Sequence, residues 1–508
     1  MPKINILDTD YTTAVGNITS AYGVFVPGLP GSGALNPPTI AKEYTSLAAF
    51  KKDVGNAPTV MASGFVDLGY IYACELLGAG LPVIYKVVPI NTTYTMQRDT
   101  FTETFVNGTT ALTKMPGDNV TPGETNLVDS IQFYLDAEGS TLVVFPQGTT
   151  VTVNAEKQIT ITLGGSGNDI PDIKLAVYGF KGDDYVDPAT ISEVDICKAI
   201  AEDDQFFGEI VDRGLYDVSF VTTGGYPTIY KDSESTSDTG RSSLISALTA
   251  VCTARGDCAA LVDFDVDTQI KLDNNGQFVD QDNKNLSSLL NISASEGPQD
   301  VYVIVPWCAI SPNFSGYATT TFLPGSFAYL KAFAGAIRTN NSWFATAGVR
   351  RGAVACSGVT QVITNAEADE FQPVTGRSIN AITFIKPYGY VIYGNRTLIA
   401  NDETGLVANS FINVRQLVHD IKRQAYAVAK SLMFDPNDDI LWVNFKNAIT
   451  PLLEKMRSGQ GIRSYRLVKI ASSARGTMTA KIIISPIEAV ETFNITVELT
   501  DEDVAVVG

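Results

Sequence analysis

The 508-residue chain reads as a multidomain protein of α/β and α+β class. A core α+β domain is built from N- and C-terminal segments, inserted β-rich and α/β outer domains interrupt it, and extended arms finish both ends. Three observations lead to this. Helix-spaced apolar segments alternate with short apolar strands in 21–95 and 176–370, the alternation of βα units. Between them, 96–175 turns rich in Thr, Val, Gly and Asn with strand-like runs. The part from 371 to 486 carries two long helical patterns followed by two strands.

Taken in order, residues 1–20 are polar with one alternating pair, Ile4 and Ile6, and read as an extended arm. In 21–95, "AYGVFVPGLPGSG" is a strand entering a Gly/Pro-rich loop, and "FVDLGYIYACELLGAG" followed by "LPVIYKVV" is a helix, a glycine stop and a strand. The runs "STLVVFP", "TTVTVN" and "KQITITL" place strands in the 96–175 insertion. In 176–370, "YDVSFVTT", "CAALVDFDV" and "DVYVIVPWCAI" are strands and "RSSLISALTAVCTAR" and "FAYLKAFAGAIR" helices. In 371–486, Val414, Leu417, Val418, Ile421, Ala425, Val428 and Leu432 form one stripe of a long helix, and an Asp/Asn cluster at 435–439 opens a second. Strands "SYRLVKIA" and "AKIIISP" follow. In the arm 487–508, Phe493, Ile495, Val497 and Leu499 alternate with polar residues, so one face requires a cover.

A formal net charge of −19 argues against a sequence-independent grip on nucleic acid or anionic membrane, which depends on clustered cations. The six cysteines form no paired CxxC motif and read as reduced core residues of a protein assembled in a cytoplasm. The N-terminus lacks a secretory pattern, and the most apolar window, 68–88, is broken by Glu75, Pro82 and Lys86.

No constellation supports enzyme chemistry. The one histidine, His419, sits between Arg415 and Arg423 and reads as part of a solvated or interfacial basic helix face. The "GLPGSG" loop lacks the lysine of a phosphate loop, and "DPNDDILWVNFK" lacks the glycine and terminal glutamate of a calcium loop. Asp263, Asp265 and Asp267 share one face of an apparent strand, where a metal-dependent hydrolase would hold a cation, but a solvated strand end accounts for them better. No catalytic residue, cofactor or metal ligand is therefore assigned.

Several segments together resemble the contractile tail sheath proteins of long-tailed bacteriophages and related contractile injection systems. They are "YGVFVPG" with "LGYIYACELLGAGLPVIYKVV", "VPWCAI" with "FAYLKAFAGAIRTNNSWFATAGV", and "YGNRTL" with "FINVRQLVHDIKRQAYAVAKSLMFDPNDDILWVNFKNAITPLLEKMRSGQGI". The resemblance covers about 21–90 and 300–508; the turn at Phe344–Gly348 lacks the proline usual in the family.

The resemblance implies a structural subunit, not an enzyme. It would polymerise as rings or a helical lattice around an inner tail tube protein, meet baseplate and tail terminator proteins, and contract to drive the tube through a host envelope. It would reside in the virion's contractile tail after assembly in host cytoplasm. It further implies arms that add strands to neighbouring subunits, here Ile4 and Ile6 at one end and Phe493, Ile495, Val497 and Leu499 at the other; an unpaired edge strand independently calls for such pairing.

From 371 to 508 there are 15 Lys and Arg against 13 Asp and Glu, six of these acids in the terminal arm. Arg415, Lys422, Arg423 and Lys430 are accordingly expected to contact the tube or a neighbour's acidic arm. Gly394, Asn395 and Arg396 are expected to form a structural joint, the Gly-Asn pair giving the bend and Arg396 pairing with the cap at Asp435, Asp438 and Asp439. The competing reading is a virion surface or receptor-binding structural protein, with 96–175 as its recognition element.

Overall fold

The computed structural model describes residues 22–31, 37–90, 186, 188–235, 237, 239–311, 321–470, 477–489 and 491, and, between 99 and 180, the backbone of six strands. Ile4, Ile6, Phe493, Ile495, Val497, Leu499 and the "STLVVFP" run lie outside the described residues. The chain divides into two compact units, one of Met1–Pro58, Asp67–Val88 and Glu193–Gly508, the other of Thr59–Val66 and Pro89–Ser192.

The first unit is organised on an eight-stranded sheet. Its strands are β1 (Gly23–Gly28), β2 (Lys42–Tyr44), β3 (Val83–Val87), β4 (Val218–Val221), β5 (Ala259–Val262), β6 (Val301–Val305), β7 (Asn380–Ile385) and β8 (Gly389–Tyr393), in spatial order β2-β3-β1-β4-β5-β6-β7-β8. From β3 to β7 every pairing is parallel, and the outer strands β2 and β8 are antiparallel. The central sequences GVFVPG, VSFV, AALV and VYVIV are buried at every position, as a parallel sheet covered on both faces requires. The β8 edge is shielded by its own chain, because Val354 N–H donates to Tyr390 O (2.9 Å) and Ile392 N–H to Gly352 O (2.8 Å).

The covering helices include α1 (Leu47–Val54), α2 (Leu68–Gly78), α3 (Ile245–Arg255) and α4 (Gly325–Ile337). Nine of the eleven residues of α2 and ten of the thirteen of α4 are buried, so these helices are apolar on nearly every side. Aromatic rings bind helix to sheet: Phe333 on α4 meets Phe220 on β4 at 5.2 Å between centroids.

Beyond the sheet, α5 (Ile412–Ser431) and α6 (Asp439–Ser458) pack with the hairpin of β9 (Ile462–Ile470) and β10 (Thr479–Pro486). Leu417, Ile421, Val428 and Leu432 from α5 meet Leu441, Phe445, Ile449, Leu453 and Met456 from α6, and Leu467, Tyr465, Ile482 and Ile484 close this core from the hairpin. Asp438 caps α6, its carboxylate accepting from Leu441 N–H at 2.9 Å. Trp343 joins this layer to the preceding turn, donating from Nε1 to Gly459 O at 2.9 Å. A Cβ on Gly459 or Gly461 would fall 2.9 or 3.0 Å from the Trp343 ring, so the glycines after α6 serve close approach as well as helix termination.

In the second unit the six strands form two antiparallel three-stranded sheets: Asp99–Phe105, Ile170–Phe180 and Val128–Tyr134, and Thr110–Leu112, Ile159–Thr162 and Thr150–Val153. Thr150–Val153 and Ile159–Thr162 fall within the runs expected from the alternation.

Candidate functional site

The large sheet has a place where a doubly wound fold would ordinarily hold a ligand. Strand order reverses between β1 and β4, and the loops after their carboxyl ends, Leu29–Gly31 and Thr222–Tyr226, form the crevice at that switch point. Here the protein fills it with its own groups. Asp67, fully buried, caps α2 by accepting from Gly69 N–H (2.9 Å), and also accepts from Leu29 N–H (2.9 Å) and from the Tyr226 hydroxyl. Tyr85 donates to Leu29 O at 2.7 Å. A Cβ on Gly224, whose φ is +71°, would lie 2.0 Å from Pro27 O, so backbone meets backbone there. Burial raises the Asp67 carboxyl to about 6, against the opposing hydrogen bonds.

The three aspartates of 263–267 separate. Asp263 is buried and accepts from Ser326 N–H at 3.0 Å at the start of α4; burial pushes it up to about 7. Asp265 pairs with buried Arg241, which also reaches Asp280 at 3.2 Å, and Asp267 is exposed. Among the described residues no group of three or more His, Cys, Asp or Glu could hold a metal ion. The expected common face fails because β5 ends at Val262: the alternation of a strand does not continue through 263–267.

Helix α5 requires a correction. Arg415 and Arg423 are not on a solvated face; they are 6% and 8% exposed and held inside the unit, and His419 is fully buried. Arg415 donates to Asp300 Oδ1 from Nε (2.9 Å) and Nη2 (2.6 Å), and His419 Nε2 lies 2.8 Å from the same oxygen. Arg423 pairs with Asp420 and donates to Asp257 O at 2.8 Å. Burial alone would raise Asp300, but the His419 hydrogen bond and the neighbouring positive charges prevail and hold it below the usual carboxylate range. Burial holds the imidazole below its ordinary value, with Asp300 opposing. The helix thus buries an apolar stripe on one side and an ionic stripe on another; only Lys422 and Lys430 of the expected four cations are exposed.

The joint at 394–396 also differs from expectation. Gly394 is not a left-handed bend: a Cβ there would meet Gln372 Nε2 at 2.5 Å and Asn380 Oδ1 at 2.7 Å, so it is a close approach. Asn395 docks the start of α5, with Asn395 O accepting from Ile412 N–H (3.0 Å) and Nδ2 donating to Asn413 Oδ1 (2.8 Å). Arg396 is fixed by Asn380, which accepts from its N–H and donates to its O, both at 2.8 Å. Its guanidinium lies 4.9 Å over the Phe411 ring and pairs with Glu491, Nε reaching Oε1 at 3.2 Å. The partner is therefore the root of the C-terminal arm, not the Asp435, Asp438 and Asp439 cap, because Arg396 is bridged to Phe411 at the start of the 20-residue α5, whereas the cap follows that helix's other end.

The hairpin β9–β10 turns Leu467, Tyr465, Ile482 and Ile484 inward and leaves Arg466, Ile483 and Lys481 exposed on its outer face. Among the described residues, neither of its outer edges is paired. A two-stranded ribbon with both edges open is a template for further strands.

This architecture, a plugged sheet crevice and an open-edged hairpin, is that of a structural α/β protein, and its similarities lie among tail sheath proteins. No family model matches the chain. It is 25% identical over 193 residues, 36% of its length, to the tail sheath protein of Vibrio phage KVP40. The match spans 27% of that relative, so the chain covers about a quarter of the curated protein. Among solved structures, the anti-feeding prophage helical sheath in its contracted state aligns over 95% of this chain and 94% of its own, at 13% identity and a TM-score of 0.49. The sheath tail protein of Desulfitobacterium hafniense aligns over 96% and 100%, at 10% identity and a TM-score of 0.45.

Proposed function

We propose that this chain is the structural subunit of a contractile tail sheath. Copies assemble as rings or a helical lattice around an inner tail tube, join a baseplate and a terminator at the two ends, and contract to drive the tube through a host cell envelope. The observation that carries the reading is the open-edged β9–β10 hairpin beside an arm whose sequence alternates in strand fashion, in a chain similar in sequence to a phage tail sheath protein. The work asked of such a subunit is mechanical, and the filled crevice at the switch point fits a body that binds no small molecule there.

On this reading the 371–486 segment is the inner domain, and Phe493, Ile495, Val497 and Leu499 of one subunit, together with Ile4 and Ile6 of another, extend the hairpin of a third. Each added strand satisfies a row of backbone groups left open by the hairpin. Among the described residues no helix is long and apolar enough to cross a membrane.

Electron microscopy of the purified full chain and of a variant lacking 492–508 tests this. The full chain forms tubes or rings, while the truncated chain, which retains Glu491, stays folded and discrete. Discrete monomers from the full chain under all assembly conditions, or normal tubes from the truncated chain, would overturn it.

A further inference from the structure

The third face of α5 presents Lys422, Tyr426 and Lys430 at i, i+4 and i+8, one exposed line along the helix. A fourth group joins from elsewhere in the chain. Arg213 stacks over the Tyr426 ring at 5.5 Å. Arg213 Nη2 and Lys422 Nζ converge on one point, lying 3.4 and 3.6 Å from where a Cβ on Gly256 would be. Lys430 Nζ approaches Gly214, next to Arg213, at 3.8 Å by the same measure.

Two acids lie nearby. Buried Asp257 serves Arg255 at 3.0 Å and Arg213 at 3.8 Å, and exposed Asp212, whose Oδ1 accepts from Gly214 N–H at 2.6 Å, stands on the same side of Gly214 as Lys430 Nζ. Lys422 donates to a carbonyl, Gly256 O, at 2.7 Å, and neither it nor Lys430 makes an ion pair among the described residues. Burial, and after it the Arg415 charge, hold the Lys422 ammonium below its ordinary value, with Asp300 opposing.

The chain also contains a segment of opposite character. Residues 487–508 hold six acids, Glu488, Glu491, Glu498, Asp501, Glu502 and Asp503, and no Lys or Arg. Its root is fixed: Glu491 pairs with Arg396, whose guanidinium lies over Phe411 at the start of α5. Lys422 and Lys430 stand about 15 and 27 Å along the helix from Ile412, at a rise of ~1.5 Å per residue. The ten residues from Glu491 to Asp501 span up to about 33 Å when extended, so the arm reaches the line from its own root.

We propose that the Arg213–Lys422–Tyr426–Lys430 face is the docking surface for the acidic segment Glu498–Asp503 of the same chain in the unassembled subunit. The segment lays its carboxylates between the two ammonium groups and the guanidinium, and the stacked Tyr426 supplies an apolar floor. Docking the arm onto its own helix would occupy the alternating stretch 493–499 and delay its pairing elsewhere. That consequence rests on the sheath reading; the docking itself does not.

Carbodiimide coupling of the unassembled full chain, mixed with an equal amount of isotopically heavy chain, tests the contact. The expected result is amide links from Lys422 and Lys430 to Glu498, Asp501, Glu502 or Asp503, light to light and heavy to heavy only. Their yield falls about tenfold between ~50 mM and ~500 mM salt, because exposed charges are screened. The double variant K422E/K430E, both positions exposed, keeps its circular dichroism and loses protection of the 498–503 amides from hydrogen exchange. Light-to-heavy links at about half of the total, the share that random pairing of equal amounts gives, would assign the face to a second copy and overturn the proposal. So would coupling of the acidic segment to other lysines, or equal exchange in wild type and variant.

Discussion

The Arg396–Glu491 pair is the most direct test of how the C-terminal arm is held. The Arg396 side chain is 6% exposed and that of Glu491 29%, and among the described residues Arg396 Nη1 is buried with no acceptor. Removing Glu491 leaves a desolvated guanidinium over the Phe411 ring with no carboxylate beside it among the described residues. A fully buried pair broken on one side costs ~3 to 5 kcal/mol; discounted for water reaching Glu491, the expected loss for Glu491→Ala is about 2 kcal/mol. Arg396→Met keeps an apolar chain over Phe411 and removes both the charge and the unsatisfied N–H, so it should lie within about 1 kcal/mol of wild type. In the Arg396→Met background Glu491→Ala should cost no more than ~0.5 kcal/mol, as for an ordinary surface change. The four proteins of this cycle are compared by urea unfolding of the unassembled subunit, followed by tryptophan emission, because Trp343 and Trp442 sit in the α5–α6 core. If Glu491→Ala costs the same in both backgrounds, the arm root is not held by this pair and the reasoning fails.

Three further outcomes follow from the same structure. Asp300→Ala strands Arg415 and His419 in the interior and should cost about 3 to 5 kcal/mol; a loss under ~1 kcal/mol would show the network to be replaceable. Asp300 is depressed in the folded state, so its contribution is present above the ordinary carboxylate pKa of ~3.9 and disappears as pH falls through its lower folded value. Asp263 and Asp67 have the opposite sign: raised to about 7 and about 6, they favour the fold at low pH and that stability is lost as pH rises through those values. Asp263→Asn should therefore flatten thermal stability between about pH 4 and 7, and an unchanged slope would assign the dependence elsewhere. Finally, Phe434 has φ +72° and is 99% exposed, so Phe434→Asn should raise subunit stability by about 0.5 to 1 kcal/mol; a decrease would mean that the ring has contacts of its own.

The apolar elements were legible because periodicity records which faces are covered. The runs VYVIV, GVFVPG and the 414–432 stripe signalled buried strands and an amphipathic helix, and they are found so. What could not be read is the burial of charge. Arg415, His419 and Arg423 sit on α5 at a spacing that looks like a wet face; Arg423 has a local carboxylate in Asp420, but Asp300, which receives Arg415 and His419, and the Asp257 carbonyl that completes Arg423 lie more than a hundred residues earlier in the chain. No local pattern announces a carboxylate supplied by β6's approach rather than by the helix itself. The same limit governed Arg396. Its neighbour in sequence suggested a cap at 435–439, while the fold brings Glu491 to it across 95 residues. Asp263 to Asp267 failed for a different reason, since a count of two is meaningful only while the strand lasts.

The filled crevice between β1 and β4 has a consequence for how such a subunit could be told to act. In many sheets of this winding that gap is an ear for soluble messengers: a nucleotide or metabolite enters and the body changes shape. Here Asp67, Tyr226 and Tyr85 have closed it. Among the described residues, what lies open to a neighbour is elsewhere, at the unpaired edges of the hairpin and at the Glu491 tether.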